Sequence, residues 1–165
     1  MLTIYGVYRS RATRPLWLLE ELGLPYRHEP VIQAYRLPDP SAAIAPFITR
    51  SPEFLTVNPM GLIPSMDDDG FVLHESLAIT LYLARKYGGG LGPKDEKEDA
   101  LMVQWALFAA TGIETAALDI QKTIGDGKSE TAEGKVRIEA SAQSLERPFD
   151  VLEAHLNAND YIVGS

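Results

Sequence analysis

The chain has 165 residues, of which 45% are hydrophobic, and a formal net charge of -8 at pH 7. This length and composition can bury a core and suggest one or two small domains. The 23 acidic residues outnumber the 15 basic ones, so the basic surface of a nucleic-acid binder is missing and we expect no nucleic-acid partner. Cysteine is absent, which excludes disulfides, thiolate metal sites and a protein-borne thiol nucleophile.

The start of the chain and its apolar segments bear on cellular location. Residues 1–5 form a strand-like run, without the basic start and longer apolar stretch of a signal peptide. We find no apolar segment that approaches the roughly twenty residues needed to span a membrane. The sequence therefore predicts a cytoplasmic protein with no membrane partner.

A strand, a helix and a second strand are predicted near the start. Leu2–Tyr5 is an apolar run typical of a buried strand, and residues 14–22 carry leucines at helical spacing before Gly23, which is placed to end the helix. Residues 26–31 indicate the second strand. Because the crossover between the two strands is a helix, we expect them to be parallel.

The middle of this half is predicted to be irregular, and a hairpin and a helix follow it. Residues 34–52 should form a loop or a broken helix beside a cleft, since they contain Pro38, Pro40, Pro46 and Pro52. Asp69-Gly70 predicts a tight turn between short strands at 65–66 and 71–73, and Ser76–Tyr87 is an apolar helix. The order βαβ, variable middle, ββα is that of a thioredoxin-like α/β domain.

The second half shows only helical signals. We predict a thioredoxin-like domain at 1–87, a glycine- and proline-rich linker at 88–95 and an all-helical domain at 96–165. Helical spacing explains Trp105 and Phe108 as core residues. Two apolar stripes support these helices: Leu101, Trp105, Phe108 and Gly112, and then Val136, Ala140, Leu145, Phe149, Leu152 and Leu156.

The most informative motif is Asn58-Pro59-Met60-Gly61-Leu62-Ile63-Pro64, followed by Glu75-Ser76 at a helix start. Pro64 fits only a strand start or edge, and the turn before it leaves the Ile63 backbone able to pair with a ligand. A helix start can hold a carboxylate while Glu75 holds an ammonium. These residues could together hold the amino-acid end of a small zwitterion, although each alone is also explained as an ordinary turn, hairpin or N-cap.

This ordered set resembles the glutathione-binding half of a cytosolic glutathione transferase. The resemblance implies that the Ile63–Pro64 bond is cis, that the Ile63 backbone bonds the cysteinyl part of glutathione, and that Glu75 and Ser76 hold its γ-glutamyl group. It also implies a chain of about two hundred residues, so we expect the helical domain to be incomplete here. Two helices alone would leave their apolar stripes poorly covered.

The loop between the first strand and the first helix is the predicted place for thiol activation. Ser10 is the first candidate, because its hydroxyl can donate to a thiolate and Arg9, Arg11 and Arg14 surround it. Residues 5–23 resemble bacterial serine-type members of the family. Ser10 could instead only cap the helix; Tyr5 is the rival donor, and Arg11 could stabilise the thiolate or hold the glycine carboxylate of glutathione.

The resemblance implies an enzyme that conjugates the glutathione thiolate to small apolar electrophiles. It would work as a homodimer, with glutathione as co-substrate and no tightly bound cofactor. A non-catalytic binding or regulatory module of the same fold is the alternative, as is a glutathione-dependent peroxidase, dehalogenase or isomerase. We expect no metal site, because the acidic run 67–69 reads as a solvated turn and His28, His74 and His155 lack metal-ligand spacing.

Overall fold

The computed structural model describes residues 1–39 and 47–164. They form two compact units, Met1–Gly92 and Pro93–Ser165. The first unit is the expected thioredoxin-like α/β fold and the second is mostly helical, so the predicted fold class is confirmed. Pro40 and Pro46 of the proline-rich middle lie outside the described residues.

The first unit is built on a four-stranded sheet in the order β2-β1-β3-β4. The strands are β1 (Leu2–Tyr5), β2 (Arg27–Glu29), β3 (Ser65–Asp68) and β4 (Phe71–His74). β1 and β2 are parallel, as expected for a helical crossover, whereas β3 runs antiparallel to both β1 and β4. The Asp69-Gly70 turn joins β3 to β4 with φ angles of 52° and 92°, which confirms the predicted hairpin.

Three helices complete this unit: α1 (Thr13–Leu22), α2 (Pro52–Val57) and α3 (Ser76–Tyr87). Gly23 ends α1 in the left-handed conformation, with φ 60°, as predicted. α1 and α3 pack on the same sheet face and bury one core, formed by Leu2, Ile4, Ala12, Leu16, Leu19, Met66, Ile79 and Leu83.

Two elements differ from the sequence prediction. β2 covers only Arg27–Glu29 and not 26–31; Pro25 and Pro30 flank it, and proline cannot donate to the ladder. Helix α2 was not predicted at all. Its start does carry a local signal, because the Ser51 hydroxyl accepts a hydrogen bond from the Phe54 backbone at 3.4 Å and Pro52 is the first helical residue.

The acidic run 67–69 was wrongly predicted to be solvated throughout. Asp68 is only 6% exposed. Its carboxylate accepts hydrogen bonds from Lys86, Tyr82 and Tyr87. Burial tends to raise the pKa of Asp68, but these hydrogen bonds outweigh it and lower the pKa below its usual value. Asp68 therefore ties the C-terminal half of α3 to β3.

The helical unit contains α4 (Glu96–Phe108), α5 (Thr115–Gly125) and α6 (Ala132–Ala158). The Asp95 side chain caps α4 and that of Thr131 caps α6. A six-residue π-helical segment, Ala109–Glu114, joins α4 to α5. Of the predicted second stripe, Leu145 is buried, whereas Val136, Phe149 and Leu156 are more than 40% exposed, so the stripe is poorly covered, as expected.

The continuous helical stretch Glu96–Gly125 corrects one expectation. It is 30 residues long and apolar enough to cross a membrane by length and composition alone. The statement that no apolar segment approaches that length was therefore wrong. The core helices of non-membrane proteins meet the same criterion.

Candidate functional site

The strand register brings three separated chain segments to one edge of the sheet. Tyr5 at the end of β1 is paired with Ser65 at the start of β3, and Ser65 is paired with His74 at the end of β4. The residues just beyond this row are Gly6, Pro64 and Glu75. The loop after β1, the turn before β3 and the start of α3 therefore lie next to one another.

Gly6 allows the first two of these segments to touch. Its φ is 150°, and a Cβ built there would lie 2.7 Å from Ala12 Cβ and 3.5 Å from Ile63 Cβ. The Gly6 backbone continues the ladder by donating to the Glu29 carbonyl at 3.0 Å, while His28 Nε2 donates to the Gly6 carbonyl at 2.8 Å. Sequence reasoning missed His28 as a support of this loop, because only the fold brings it there.

Ser10 lies half-buried in the loop before α1. Its hydroxyl donates to the Val7 carbonyl at 2.6 Å and accepts from the Ala12 backbone at 3.0 Å. Helix α1 has Ala12 at its N-cap and no side-chain cap, so Ser10 organises the turn just before the helix. Ser10 remains a predicted thiolate donor; in this structure its hydrogen is directed to Val7.

The other two candidates of this region have different surroundings. Tyr5 is partly buried, and its ring lies 6.2 Å from that of Phe54 in α2. Burial raises the pKa of Tyr5, and the negative charge of Asp67 adds to the rise, so its phenol stays protonated at neutral pH. Arg11 is exposed in the turn before α1. The role of Tyr5 as thiolate donor, and that of Arg11 in stabilising the thiolate or holding the glycine carboxylate, stay predictions.

The turn before β3 is organised by Asn58, which is only 3% exposed. Its Nδ2 donates to the Leu62 carbonyl at 2.8 Å and to Ser65 Oγ at 3.1 Å, and its Oδ1 accepts from the Met60 backbone at 3.0 Å. Gly61 is required beside it, because its φ is 61° and a Cβ there would lie 2.6 Å from the Thr49 carbonyl oxygen. Asn58 thus holds the motif's shape, a role that sequence reasoning missed.

Ile63 and Pro64 follow this turn. The peptide bond between them is cis, as predicted. Pro64 is buried at the start of β3, and Ile63 is half-buried. Proline at this position cannot donate to the ladder, so Ile63 is the last residue before the sheet whose backbone N–H can bond to something else.

Glu75 has an unusual backbone. Its φ is 70° and its ψ is 117°, a region that residues with a side chain rarely adopt. Its side chain is exposed, and its carbonyl accepts the first hydrogen bond of α3 from Ile79 at 2.9 Å. This backbone presents an acidic side chain to solvent directly beside a helix start.

Ser76, the first residue of α3, is only 4% exposed. Its hydroxyl oxygen accepts a hydrogen bond from Arg14 Nη1 at 2.9 Å across 62 residues of sequence. Arg14 belongs to α1, so this bond connects the loop that contains Ser10 to the Glu75-Ser76 pair. Arg14 was predicted only as one of the cations around Ser10, and its contact with Ser76 was not predicted, because the two residues are 62 positions apart.

The arrangement offers an acidic group for a cation, a helix start with backbone N–H groups for an anion, and the backbone N–H of Ile63 in the neighbouring turn. Within 1–39 and 47–164, no group of three or more His, Cys, Asp or Glu residues is arranged to hold a metal ion. A small molecule that carries both an ammonium and a carboxylate fits this edge of the sheet by charge.

Comparisons with known proteins identify the family to which this chain is similar. A family model described as the N-terminal domain of glutathione S-transferase matches residues 8–86. Glutathione S-transferase 1 of Zea mays is 31% identical over 165 residues, covering 98% of this chain and 72% of the maize protein. Glutathione S-transferase 3 of Schizosaccharomyces pombe is 35% identical over 96 residues, which are 58% of this chain.

A solved structure extends the comparison to almost the whole chain. The theta class glutathione S-transferase from Xanthomonas axonopodis pv. citri, determined with glutathione bound, has a TM-score of 0.76 and 28% identity over 99% of this chain. The present chain covers 74% of that protein. It spans only 35% of the length of the Schizosaccharomyces pombe relative and 55% of the Arabidopsis thaliana relative, glutathione S-transferase F10.

Proposed function

This chain belongs to the glutathione transferase family, and we propose that it binds glutathione and conjugates its thiolate to small apolar electrophiles. The observation that supports the proposal is the convergence of the Ser10 loop, the Ile63–Pro64 turn and the start of α3 at one sheet edge. Each segment offers a group suited to one part of the tripeptide.

The γ-glutamyl end of glutathione matches the start of α3 in charge. The exposed Glu75 carboxylate is the partner for the ammonium, and the Ser76 hydroxyl and the helix N-terminus are partners for the α-carboxylate. The left-handed backbone of Glu75 supports this role, because strained residues persist where the surrounding structure holds them and often mark ligand sites. The Ile63 backbone pairs with the cysteinyl residue.

Ser10 is the proposed catalytic residue. A free thiol has a pKa of about 8.5, so a donor that bonds only the thiolate increases the reactive fraction at neutral pH. The Ser10 hydroxyl exchanges its bond to Val7 for a charge-assisted bond to sulfur, which is about twice as strong. The thiol proton leaves to solvent, sulfur forms a bond to the electrophilic carbon, and the leaving group departs with its electron pair.

A non-catalytic binding module is the second candidate function. The observation that favours it is the 2.6 Å hydrogen bond from Ser10 to Val7, because a hydroxyl committed to the backbone serves the fold and not the sulfur. Glutathione binding through Glu75 and Ser76 would remain under this reading, but turnover would not.

Assembly, location and cofactor use are part of the same proposal. We expect a cytoplasmic homodimer that uses glutathione as co-substrate without a tightly bound cofactor. The exposed Phe71 and Val72 on β4 offer an apolar surface for a second copy.

The binding half of the proposal is tested with Glu75→Gln. We expect glutathione binding to weaken by about 1–3 kcal/mol, because the ammonium loses its charged partner. Calorimetry on the full-length protein measures this, and Glu139→Gln, which removes an exposed carboxylate from the helical unit, is the matched control. Equal affinity in the parent and Glu75→Gln would show that glutathione binds elsewhere or not at all.

The catalytic half is tested by titrating the absorbance of bound thiolate in Ser10→Ala and Tyr5→Phe, together with turnover of an aromatic electrophile. Ser10→Ala should raise the thiolate pKa and slow turnover about ten- to a thousandfold, whereas Tyr5→Phe and the control Ser144→Ala should change little. If Tyr5→Phe abolishes activity and Ser10→Ala does not, Tyr5 is the thiolate donor. Tight glutathione binding without turnover in the parent would favour the binding module.

A further inference from the structure

His28 on β2 contacts the loop that contains Ser10. Its Nε2 donates to the Gly6 carbonyl at 2.8 Å across 22 residues of sequence. We propose that His28 is a positioning residue for thiol activation, which keeps the Ser10 loop in the geometry that directs the Ser10 hydroxyl to the sulfur of glutathione. This inference rests on the proposed function, because it names a further residue that acts through Ser10.

Three consecutive carbonyls of this loop each accept a hydrogen bond from a side chain. They belong to Gly6, Val7 and Tyr8, and their donors are His28, Ser10 and Thr13, respectively. The last two donors are local, since they lie in the loop itself and in the first turn of α1. His28 comes from a strand, so its hydrogen bond ties the loop to the sheet.

The bond from His28 is most important when glutathione is bound. The Ser10 hydroxyl donates to the Val7 carbonyl at 2.6 Å, and it has to leave that carbonyl in order to bond to sulfur. The loop then loses one of its three side-chain hydrogen bonds. The bond from His28 to Gly6 takes no part in this exchange, so it continues to fix the neighbouring peptide group. A donor that is already positioned needs no reorganisation during the reaction.

The surroundings of the His28 ring support this role. The ring is half-buried, and the Tyr8 ring packs against it with 4.9 Å between centroids and an interplanar angle of 65°. Because a carbonyl oxygen only accepts, Nε2 carries the hydrogen in the bond to Gly6. The Val31 backbone also donates to the Gly6 carbonyl, but at 3.4 Å, which is longer than an ordinary N–H···O bond. His28 therefore supplies the stronger of these two bonds.

The first test compares His28→Leu and His28→Gln in the full-length protein. Leucine removes the donor, so the thiolate pKa of bound glutathione should rise by about half a unit to one unit, and kcat below that pKa should fall about three- to tenfold. The KM for glutathione should change less than about twofold, because Ile63, Glu75 and Ser76 are unaltered. Glutamine offers an amide N–H donor of similar reach, so His28→Gln should restore the thiolate pKa and kcat.

His155→Leu is the matched control. His155 is also half-buried, its Nε2 donates to the Ile162 carbonyl at 3.0 Å, and its ring lies 4.6 Å from that of Trp105. It belongs to the helical unit and not to the Ser10 loop, so its loss should leave the thiolate pKa unchanged. His28→Asn keeps an amide of shorter reach, and it should behave like His28→Leu because the amide does not extend to Gly6.

A double-mutant cycle separates positioning from a purely structural role. Because His28 acts through Ser10, His28→Leu should change the thiolate pKa much less in a Ser10→Ala background than in the parent. A residue that only stabilises the fold would lower the thermal unfolding midpoint without changing the thiolate pKa. If His28→Leu does not fold, the difference in thiolate pKa between His28→Gln and His28→Asn decides the matter.

Each contrary result has a distinct meaning. If Ser10→Ala raises the thiolate pKa but His28→Leu and His28→Asn do not, the inference is overturned and the proposed function stands. The same conclusion follows if His28→Gln is as impaired as His28→Leu, or if His28→Leu has an equal effect with and without the Ser10 hydroxyl. If the parent does not bind glutathione, or if Ser10→Ala leaves the thiolate pKa unchanged, the proposed function itself fails in that part, and the inference fails with it.

Discussion

The two units of this chain bury their side chains to very different extents. In Met1–Gly92, the side chains of Ile4, Leu19, Phe54 and Met66 are completely buried. In the described part of the helical unit, only Thr123, Gly134 and Leu145 are buried. Several large apolar residues of that unit are more than 40% exposed, among them Leu101, Leu107, Ile124, Val136 and Phe149.

This difference follows from the elements available to each unit. A sheet covered by helices surrounds its apolar side chains on several sides, whereas packed helices bury only one stripe each. α5 and α6 are held together partly by polar contacts, since Arg137 pairs with Asp119 and Ser141 donates to Asp119 at 3.0 Å. The candidate site is accordingly carried by the unit whose backbone is tightly constrained by its own core.

The largest difference in stability between the two units should appear when one leucine in each unit is replaced by alanine. Leu19 is completely buried and Leu107 is 56% exposed. Leu19→Ala should therefore cost about 2–5 kcal/mol of stability, and Leu107→Ala about 0.5 kcal/mol or less. Hydrogen exchange measured segment by segment reports each unit separately. A similar cost for the two substitutions would mean that Leu107 is covered in solution.

A smaller difference in stability cost is expected between alanine substitutions at two glycines with positive φ. At Gly127, where φ is 69°, an added Cβ would have nothing within 4 Å, so Gly127→Ala should incur only the left-handed penalty of roughly 1–2 kcal/mol. Gly61→Ala adds the close approach to the Thr49 carbonyl and should cost at least about 1 kcal/mol more. Denaturant unfolding of both variants checks this. Equal costs would show that the Asn58 turn can shift to make room.

The smallest expected effect is a pH dependence of the stability of the helical unit. The hydrogen bonds from Arg137 lower the pKa of Asp119 to about 2. The carboxyl is more acidic folded than unfolded, where its pKa is about 3.9, so its stabilising contribution is present above about pH 4 and is lost as the pH falls toward 2.

Asp119→Asn should flatten the loss of stability across that acid range, as followed by circular dichroism. Asp68→Asn tests the corresponding buried acid of the first unit. It should destabilise that unit already at neutral pH, because the Lys86 ammonium loses its charged partner. An Asp119→Asn variant with the parent's acid profile would show that Arg137 and Asp119 do not interact in solution.

Elements whose signals are local could be predicted from the amino-acid sequence. β1, the Asp69-Gly70 turn, the end of α1 at Gly23 and the span of α3 agree with the prediction, because each depends on residues only a few positions apart. The cis bond at Ile63–Pro64 was also predicted correctly, although from the family resemblance and not from any local rule.

Contacts between residues far apart in the chain could not be predicted in this way. The burial of Asp68 requires Tyr82, Tyr87 and Lys86 from a later helix. The bond from Arg14 to Ser76 joins positions 62 residues apart. Composition and periodicity record which side chains are apolar, but not which polar atoms the folded backbone will bring within hydrogen-bond distance. The polar contacts that shape the candidate site could therefore be found only in the folded chain.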